Sequence, residues 1–161
     1  MLFEKVLYPF DMRKASLNVK PYILKLKDAG CKEVHMVYVM IPSEWGLLSK
    51  EEFDSQEKLE ALKGTMEEGF VDGLFKIFNK MKEISKEFEE NGIKTRVVII
   101  PGELDEVLSW YADKYGMKLV AIGVTSESLS FFRIGKIVDV IKAVKEPILI
   151  VKTPEEEDGE V

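Results

Sequence analysis

Residues 119–152, LVAIGVTSESLSFFRIGKIVDVIKAVKEPILIVK, constrain the fold more than any other part of this chain. The stretch opens and closes on short, nearly continuous apolar runs, LVAIG and PILIVK. Such runs, without polar alternation, are the pattern of strands covered on both faces. Between them lie a loop begun by Gly123 and a segment, residues 134–144, that reads as a helix. A strand, a crossover helix and a second strand pair in parallel by a right-handed connection, so the chain must carry an open parallel sheet with helices packed on it.

The rest of the chain repeats that alternation. Residues 5–10 (KVLYPF) form a first buried strand, with Asp11 where it ends. Ser16 or Asn18 caps a helix whose first turn tolerates Pro21 and which stops at Gly30. Residues 33–40 (EVHMVYVM) make a second strand, followed by an irregular segment over residues 41–55 that contains Pro42, Trp45 and Gly46. A long helix is expected from about residue 67 to 90, its core face drawn by Phe70, Leu74, Ile77, Phe78, Met81, Ile84 and Phe88. Residues 93–101 are a third strand. Gly102 then opens a turn into a helix, with Asp105 and Glu106 at its positive end and Gly116 closing it. Residues 118–123 and 147–152 are strands four and five. The fold class is therefore α/β, an open five-stranded parallel sheet with helices on both faces. With strand order 3-2-1-4-5, strands one and four adjoin at the switch point, the place where such sheets bind ligands beyond their carboxyl ends. Asp11 and Gly123 then flank one crevice.

Composition narrows the function classes. At 161 residues, 46% hydrophobic and 32% charged, the chain suits a single domain over residues 1–153, with no linker or internal repeat. Residues 154–161, rich in Glu and Asp, read as a disordered acidic tail. A net charge of −6 argues against nucleic acid, whose phosphates need clustered Lys and Arg. A lone Cys31 excludes an intrachain disulfide and a cysteine metal cluster. No apolar run is long enough to span a bilayer, and the amino terminus lacks the layout of a secretory signal, so the expectation is a cytoplasmic protein away from membranes. Charge carried by Lys and Glu, with Gln56 the only glutamine, leans towards a thermophilic source.

Several catalytic or cofactor patterns fail on spacing. Gly135-Lys136 resembles the end of a phosphate-binding P-loop, but Ile137 stands where the metal-binding Ser or Thr belongs and Ser130 where the first glycine belongs. No Gly-x-Gly-x-x-Gly follows the first strand. His35, the only histidine, lies within strand two and reads as a satisfied core histidine rather than a metal ligand or triad member. Cys31, at the amino end of that strand, is a poor nucleophile candidate. No catalytic or metal-ligating set emerges.

Pro9-Phe10-Asp11, Gly102 after strand three, Gly123 with its following helix, and PILIVK together resemble the universal stress protein family over residues 5–152. The resemblance implies a Rossmann-like three-layer sandwich and an adenine-nucleotide site. Its base and ribose side falls on Pro9, Asp11 and Val39. Its phosphate side is the family's Gly-x2-Gly-x9-Gly-[Ser/Thr], which begins at Gly123. Here Ser126 stands for the second glycine, Gly135 arrives one residue early and Lys136 replaces the hydroxyl residue. Thr125, Ser126 and Ser128 supply further donors, Lys136 a counter-charge, and Phe131 and Phe132 fall within the loop. The implied cofactor is ATP with magnesium. The implied partner is a second copy, through the last strand around Ile148 and Ile150, with the alternative that the acidic tail shields that edge. Three functions follow: a stress-response regulatory or binding module with an altered nucleotide site; a dimer that binds no nucleotide and acts through protein contacts; and an ATP-hydrolysing or nucleotidyl-transfer enzyme, whose His-x-Gly-His or Ser-Gly-Gly motifs are missing.

Overall fold

The computed structural model of the chain describes residues 2–40, 47–125 and 134–161. Strands β1 (Lys5–Pro9), β2 (Glu33–Met40), β3 (Lys94–Pro101), β4 (Leu119–Thr125) and β5 (Ile148–Thr153) pair in parallel in the order β3-β2-β1-β4-β5. This is the expected architecture. The unbroken apolar runs have their reason in burial on both faces: every residue of β4 is buried, and β1 is buried after Lys5. The helices are α1 (Lys14–Leu17), α2 (Lys20–Lys25), α3 (Gln56–Glu60), α4 (Glu68–Glu90), α5 (Leu104–Tyr115) and α6 (Ile134–Ala143).

Alternation along each strand sorts side chains into two cores. Val6, Tyr8, Phe10, Val34 and Met36 pack with Phe78, Met81 and Phe88 of α4 on one face. Leu7, Val37, Val39, Val98, Val120 and Ile122 pack with Leu108 and Tyr111 of α5 and Val140 of α6 on the other. The long α4 keeps its sequence periodicity, with Val71, Leu74, Phe78, Met81, Ile84, Ser85 and Phe88 buried at three- and four-residue steps. Phe88 meets the Tyr8 ring edge to face at 6.2 Å between centroids.

The first helix departs from expectation. It starts at Lys14 after Arg13, places Ser16 in its interior, and breaks after Leu17. Pro21 lies in the first turn of α2. A continuous helix would need its missing N–H to bond the Leu17 carbonyl, so the break has a covalent cause. Ser16 does not cap because its hydroxyl donates to the Asp11 carboxylate, 2.6 Å away. Gly30, at φ 100°, ends the following 3₁₀ turn as expected.

The two sheet edges differ. Beside β3, within the segment expected to be irregular, Phe53 and Ile99 exchange both backbone N–H···O bonds at 2.9 Å, which covers part of that edge. Ser55 then caps α3 by accepting from the Lys58 N–H at 3.2 Å. On the other side β5 ends the sheet, with Ile150 of β5 and Val138 and Ile141 of α6 each at least 40% exposed.

The acidic tail is ordered, contrary to the expectation from composition. Glu155–Glu157 forms a 3₁₀ turn, after which Arg13 and Glu160 make an antiparallel bridge. The physical reason is local pairing of charge and backbone: Asp158 is anchored by Arg13 and by a main-chain N–H, and Val161 packs against the core. The tail therefore turns back towards the segment after β1 and does not run along β5 as its shield.

Candidate functional site

β1 pairs with β2 along its whole length, but with β4 only at Val6–Leu119 and Leu7–Val120. Beyond that point β1 stays with β2, Phe10 donating its N–H to the Val37 carbonyl at 2.9 Å, while β4 stays with β5 through Thr125–Thr153. The halves of the sheet thus part at their carboxyl ends. Asp11 and Gly123 stand on the two sides of this parting.

Asp11 follows β1 in a tight turn. Its Oδ1 accepts from the Arg13 N–H at 3.0 Å and from the Ser16 hydroxyl at 2.6 Å, while the Ser16 Oγ accepts from the Asp11 N–H at 3.3 Å. Met12 sits between them at φ 67°, a left-handed conformation that costs a non-glycine residue about 1 kcal/mol or more and that its surroundings must hold. The buried Tyr8 hydroxyl donates to the Ser16 carbonyl at 2.5 Å. Burial, and then the Asp11 charge, push the Tyr8 hydroxyl far above the ordinary tyrosine range, and the same two causes raise Tyr38. Tyr38 is thus a neighbour of the Asp11 carboxylate that sequence reasoning missed; only its place two residues before the end of β2 pointed to it.

The other expected base-side residues are packing residues by position. Pro9 is buried at the end of β1, opposite Val37, and Val39 lies in the core beneath α5. On the phosphate side, Gly123 carries a steric demand of its own. A Cβ there would lie 2.0 Å from the Ala15 carbonyl oxygen and 2.9 Å from the Ser16 Cα, because α1 rests directly on β4. Thr125 is buried and paired in register with Thr153, whose Oγ1 accepts from the Asn18 side-chain amide at 3.0 Å. Lys136, in the first turn of α6, reaches Glu103 at 3.5 Å, both about half exposed. Gly135 falls in that same turn, and Ser126, Ser128, Phe131 and Phe132 lie outside the described residues.

A second polar cluster sits at the opposite, amino-terminal end of the sheet. His35 Nδ1 meets the Tyr111 hydroxyl at 2.6 Å and Nε2 meets the Glu33 carboxylate at 2.5 Å. Arg96, opposite His35 in register, donates to Tyr111 at 2.6 Å, Glu52 at 3.1 Å and Asp54 at 2.8 Å. With Arg96 donating to its oxygen, the Tyr111 hydroxyl proton points to Nδ1, and the neutral imidazole carries its proton on Nε2 towards Glu33. Burial holds the His35 pKa below its ordinary value despite the Glu33 contact, which keeps the ring neutral. His35 is thus the satisfied core histidine that the sequence suggested. Cys31 is buried, and burial raises its thiol pKa, so the inert reading also stands. Among the described residues no group of His, Cys, Asp and Glu is arranged to hold a metal, and no helix is long and apolar enough to cross a membrane.

An open parallel sheet of order 3-2-1-4-5, parted at its switch point and covered by helices on both faces, defines a doubly wound α/β fold, the class that takes its ligands at that point. No protein-family model matches the chain. Two curated sequences do: the universal stress proteins MJ0577 and MJ0531 of Methanocaldococcus jannaschii, each 26% identical. MJ0577 aligns over 94% of this chain and 96% of its own length, MJ0531 over 97% and 86%. The solved structure of MJ0577 superposes with a TM-score of 0.68 at 21% identity, covering 96% of this chain and 99% of that one. A universal stress protein in complex with cAMP gives 0.60 at 14% identity, covering 94% and 98%. An Arabidopsis thaliana family member with AMP bound gives 0.59 at 12% identity, covering 95% and 94%. The chain is thus similar over nearly its whole length to universal stress proteins and shares their fold.

Proposed function

We propose that this chain is a cytoplasmic binding module that takes an adenine nucleotide, ATP with magnesium, in the crevice between β1 and β4 and works as a two-fold dimer. The observation that carries the reading is the parting of β1 and β4 beyond Leu7 and Val120, with Asp11 and Gly123 on its two sides, in a fold shared with family members solved with cAMP and AMP. Asp11 accepts a hydrogen bond from the base or ribose, with Pro9 and Val39 shaping that end. Gly123, Thr125, Ser126 and Gly135 line the phosphate end, and Lys136 turns from Glu103 to the phosphates. Magnesium supplies the remaining counter-charge.

Thermal unfolding with and without Mg–ATP tests this. Ligand at ~100 times its dissociation constant adds ~2.7 kcal/mol, a midpoint rise of roughly 5–11 °C for a domain of this size. Asp11→Asn keeps an acceptor for Ser16 and the Arg13 N–H while removing the charge, and is expected to shrink that rise by at least half. An undiminished rise removes Asp11 from the site, and no rise at millimolar ATP overturns nucleotide binding. That second outcome would favour a module acting through protein contacts alone, the reading supported by the Ala15 carbonyl seated over Gly123 and the pairing of Lys136 with Glu103.

The dimer reading is supported by the uncovered β5 edge, where Ile148 is half-buried and Ile150 exposed, while the tail that was the alternative shield runs elsewhere. Light scattering coupled to size exclusion is expected to give twice the 18.4 kDa chain mass. A clean monomer at high concentration overturns it.

A further inference from the structure

Helix α1 has four residues, too few to persist alone, and its N-cap Arg13 gives no side-chain cap. Its first amides are satisfied by the carboxyl-terminal tail. The Asp158 side chain, 3% exposed, accepts from the Ala15 N–H at 3.1 Å and from Arg13 Nη2 at 3.1 Å and Nε at 3.4 Å. The Gly159 carbonyl accepts from the Lys14 N–H at 2.7 Å, and the Met12 carbonyl from the Val161 N–H at 3.0 Å. Val161 shares a groove with Met12 and with Lys76, Asn79, Lys80 and Glu83 of α4. The tail therefore fastens residues 12–15. These adjoin the groups that close the crevice on this side: the Ala15 carbonyl rests on Gly123, and the Ser16 hydroxyl occupies Asp11.

We propose that residues 155–161 are an autoinhibitory latch, which holds the segment between β1 and α1 shut over the switch point and must open for the nucleotide to enter. This rests on the nucleotide reading above. The left-handed Met12 supports it, because a strained turn persists only while its surroundings hold it, and here the tail bonds the Met12 carbonyl directly. A latch of this kind is reciprocal: if opening favours nucleotide, nucleotide favours opening by the same factor.

The test uses the full chain, a chain ending at Thr153, and the full-length variant Asp158→Asn, which remains informative if the truncated chain folds poorly. Hydrogen exchange is followed at the Lys14 and Ala15 amides, and Mg–ATP affinity is measured by calorimetry. Truncation is expected to speed exchange at both amides and to tighten ATP binding about tenfold, within the usual range of coupling between sites. Asp158→Asn should move both readouts the same way by less, and saturating ATP should speed the same exchange in the full chain. Unchanged exchange without the tail would show that it fastens nothing and overturn the latch. Faster exchange with equal or weaker ATP affinity would make the tail a strap and overturn the autoinhibition. If no chain binds ATP, the nucleotide reading falls and the autoinhibition with it, while the exchange data still show whether the tail fastens α1.

Discussion

Gly123→Ala is expected to lower the unfolding midpoint of the ligand-free protein by roughly 6–12 °C, from a loss of about 3 kcal/mol. The added methyl carbon would lie 2.0 Å from the Ala15 carbonyl oxygen, 2.6 Å from its carbon and 2.9 Å from the Ser16 Cα. All three are backbone atoms, so no rotamer change relieves the contact. Relief requires α1 to lift from β4, which strains the Tyr8 bond to the Ser16 carbonyl and the Asn18 bond to Thr153. Overpacking ordinarily costs about 1–3 kcal/mol, and a clash with fixed backbone belongs at the top of that range. The family resemblance gives this glycine a different purpose, approach of phosphate to the main chain. The two purposes separate cleanly: a glycine kept only for ligand would leave the ligand-free midpoint unchanged on substitution to alanine. Differential scanning calorimetry without nucleotide decides it, and a shift under 2 °C would refute the packing role.

Strand positions and their order were legible because burial on both faces leaves an unmistakable apolar run, as in LVAIG and PILIVK. Helix α4 was legible because its 3.6-residue period survives over 23 residues. The break between α1 and α2 is readable in principle from Pro21, which fits a first turn but cannot continue a helix from Leu17. Phe53 is not legible because one residue bridging an edge leaves no periodic trace. The order of the tail is hidden from composition for a different reason. Composition reports the average cost of solvating five acids, whereas order there depends on one of them, Asp158, meeting Arg13 and the Ala15 N–H from far away in sequence.

The candidate crevice was half legible. Asp11 and Gly123 could be placed beside the switch point because a 3-2-1-4-5 order brings the carboxyl-terminal parts of β1 and β4 there, although β4 runs two residues beyond Gly123, to Thr125. Their present partners could not be, since Ser16 and Ala15 reach them only through the early start of α1. The cluster around Arg96 shows the same limit from the other side. Glu52, Asp54, Arg96, Tyr111 and Tyr115 are scattered over three segments and share no motif; only the register of His35 with Arg96 and the packing of α5 bring them together.

That cluster yields the second large effect. Arg96→Met is expected to cost about 2–3 kcal/mol, below the ~3–5 kcal/mol of breaking a fully buried pair because the Arg96 side chain is 23% exposed. Its guanidinium donates to Glu52, Asp54 and Tyr111 and lies 4.8 Å from the Tyr115 ring centroid and 5.8 Å from that of Tyr111. Methionine replaces the bulk but none of the donors, so the Tyr111 hydroxyl loses its cationic partner. Asp54 keeps Lys58, and Glu52, 14% exposed, keeps Lys114 and Tyr115. Glu52 and Asp54 flank Phe53, so Arg96 also pins the segment that covers the β3 edge. The loss should therefore appear in two places: a midpoint lowered by roughly 4–12 °C, and faster hydrogen exchange at the Phe53 and Ile99 amides, which exchange their bonds across that edge. A stable Arg96→Met variant with unchanged exchange at both amides would show that Phe53 packing alone holds the segment. A lowered midpoint with unchanged exchange there would place the role of Arg96 within the Tyr111 and His35 core and not at the edge.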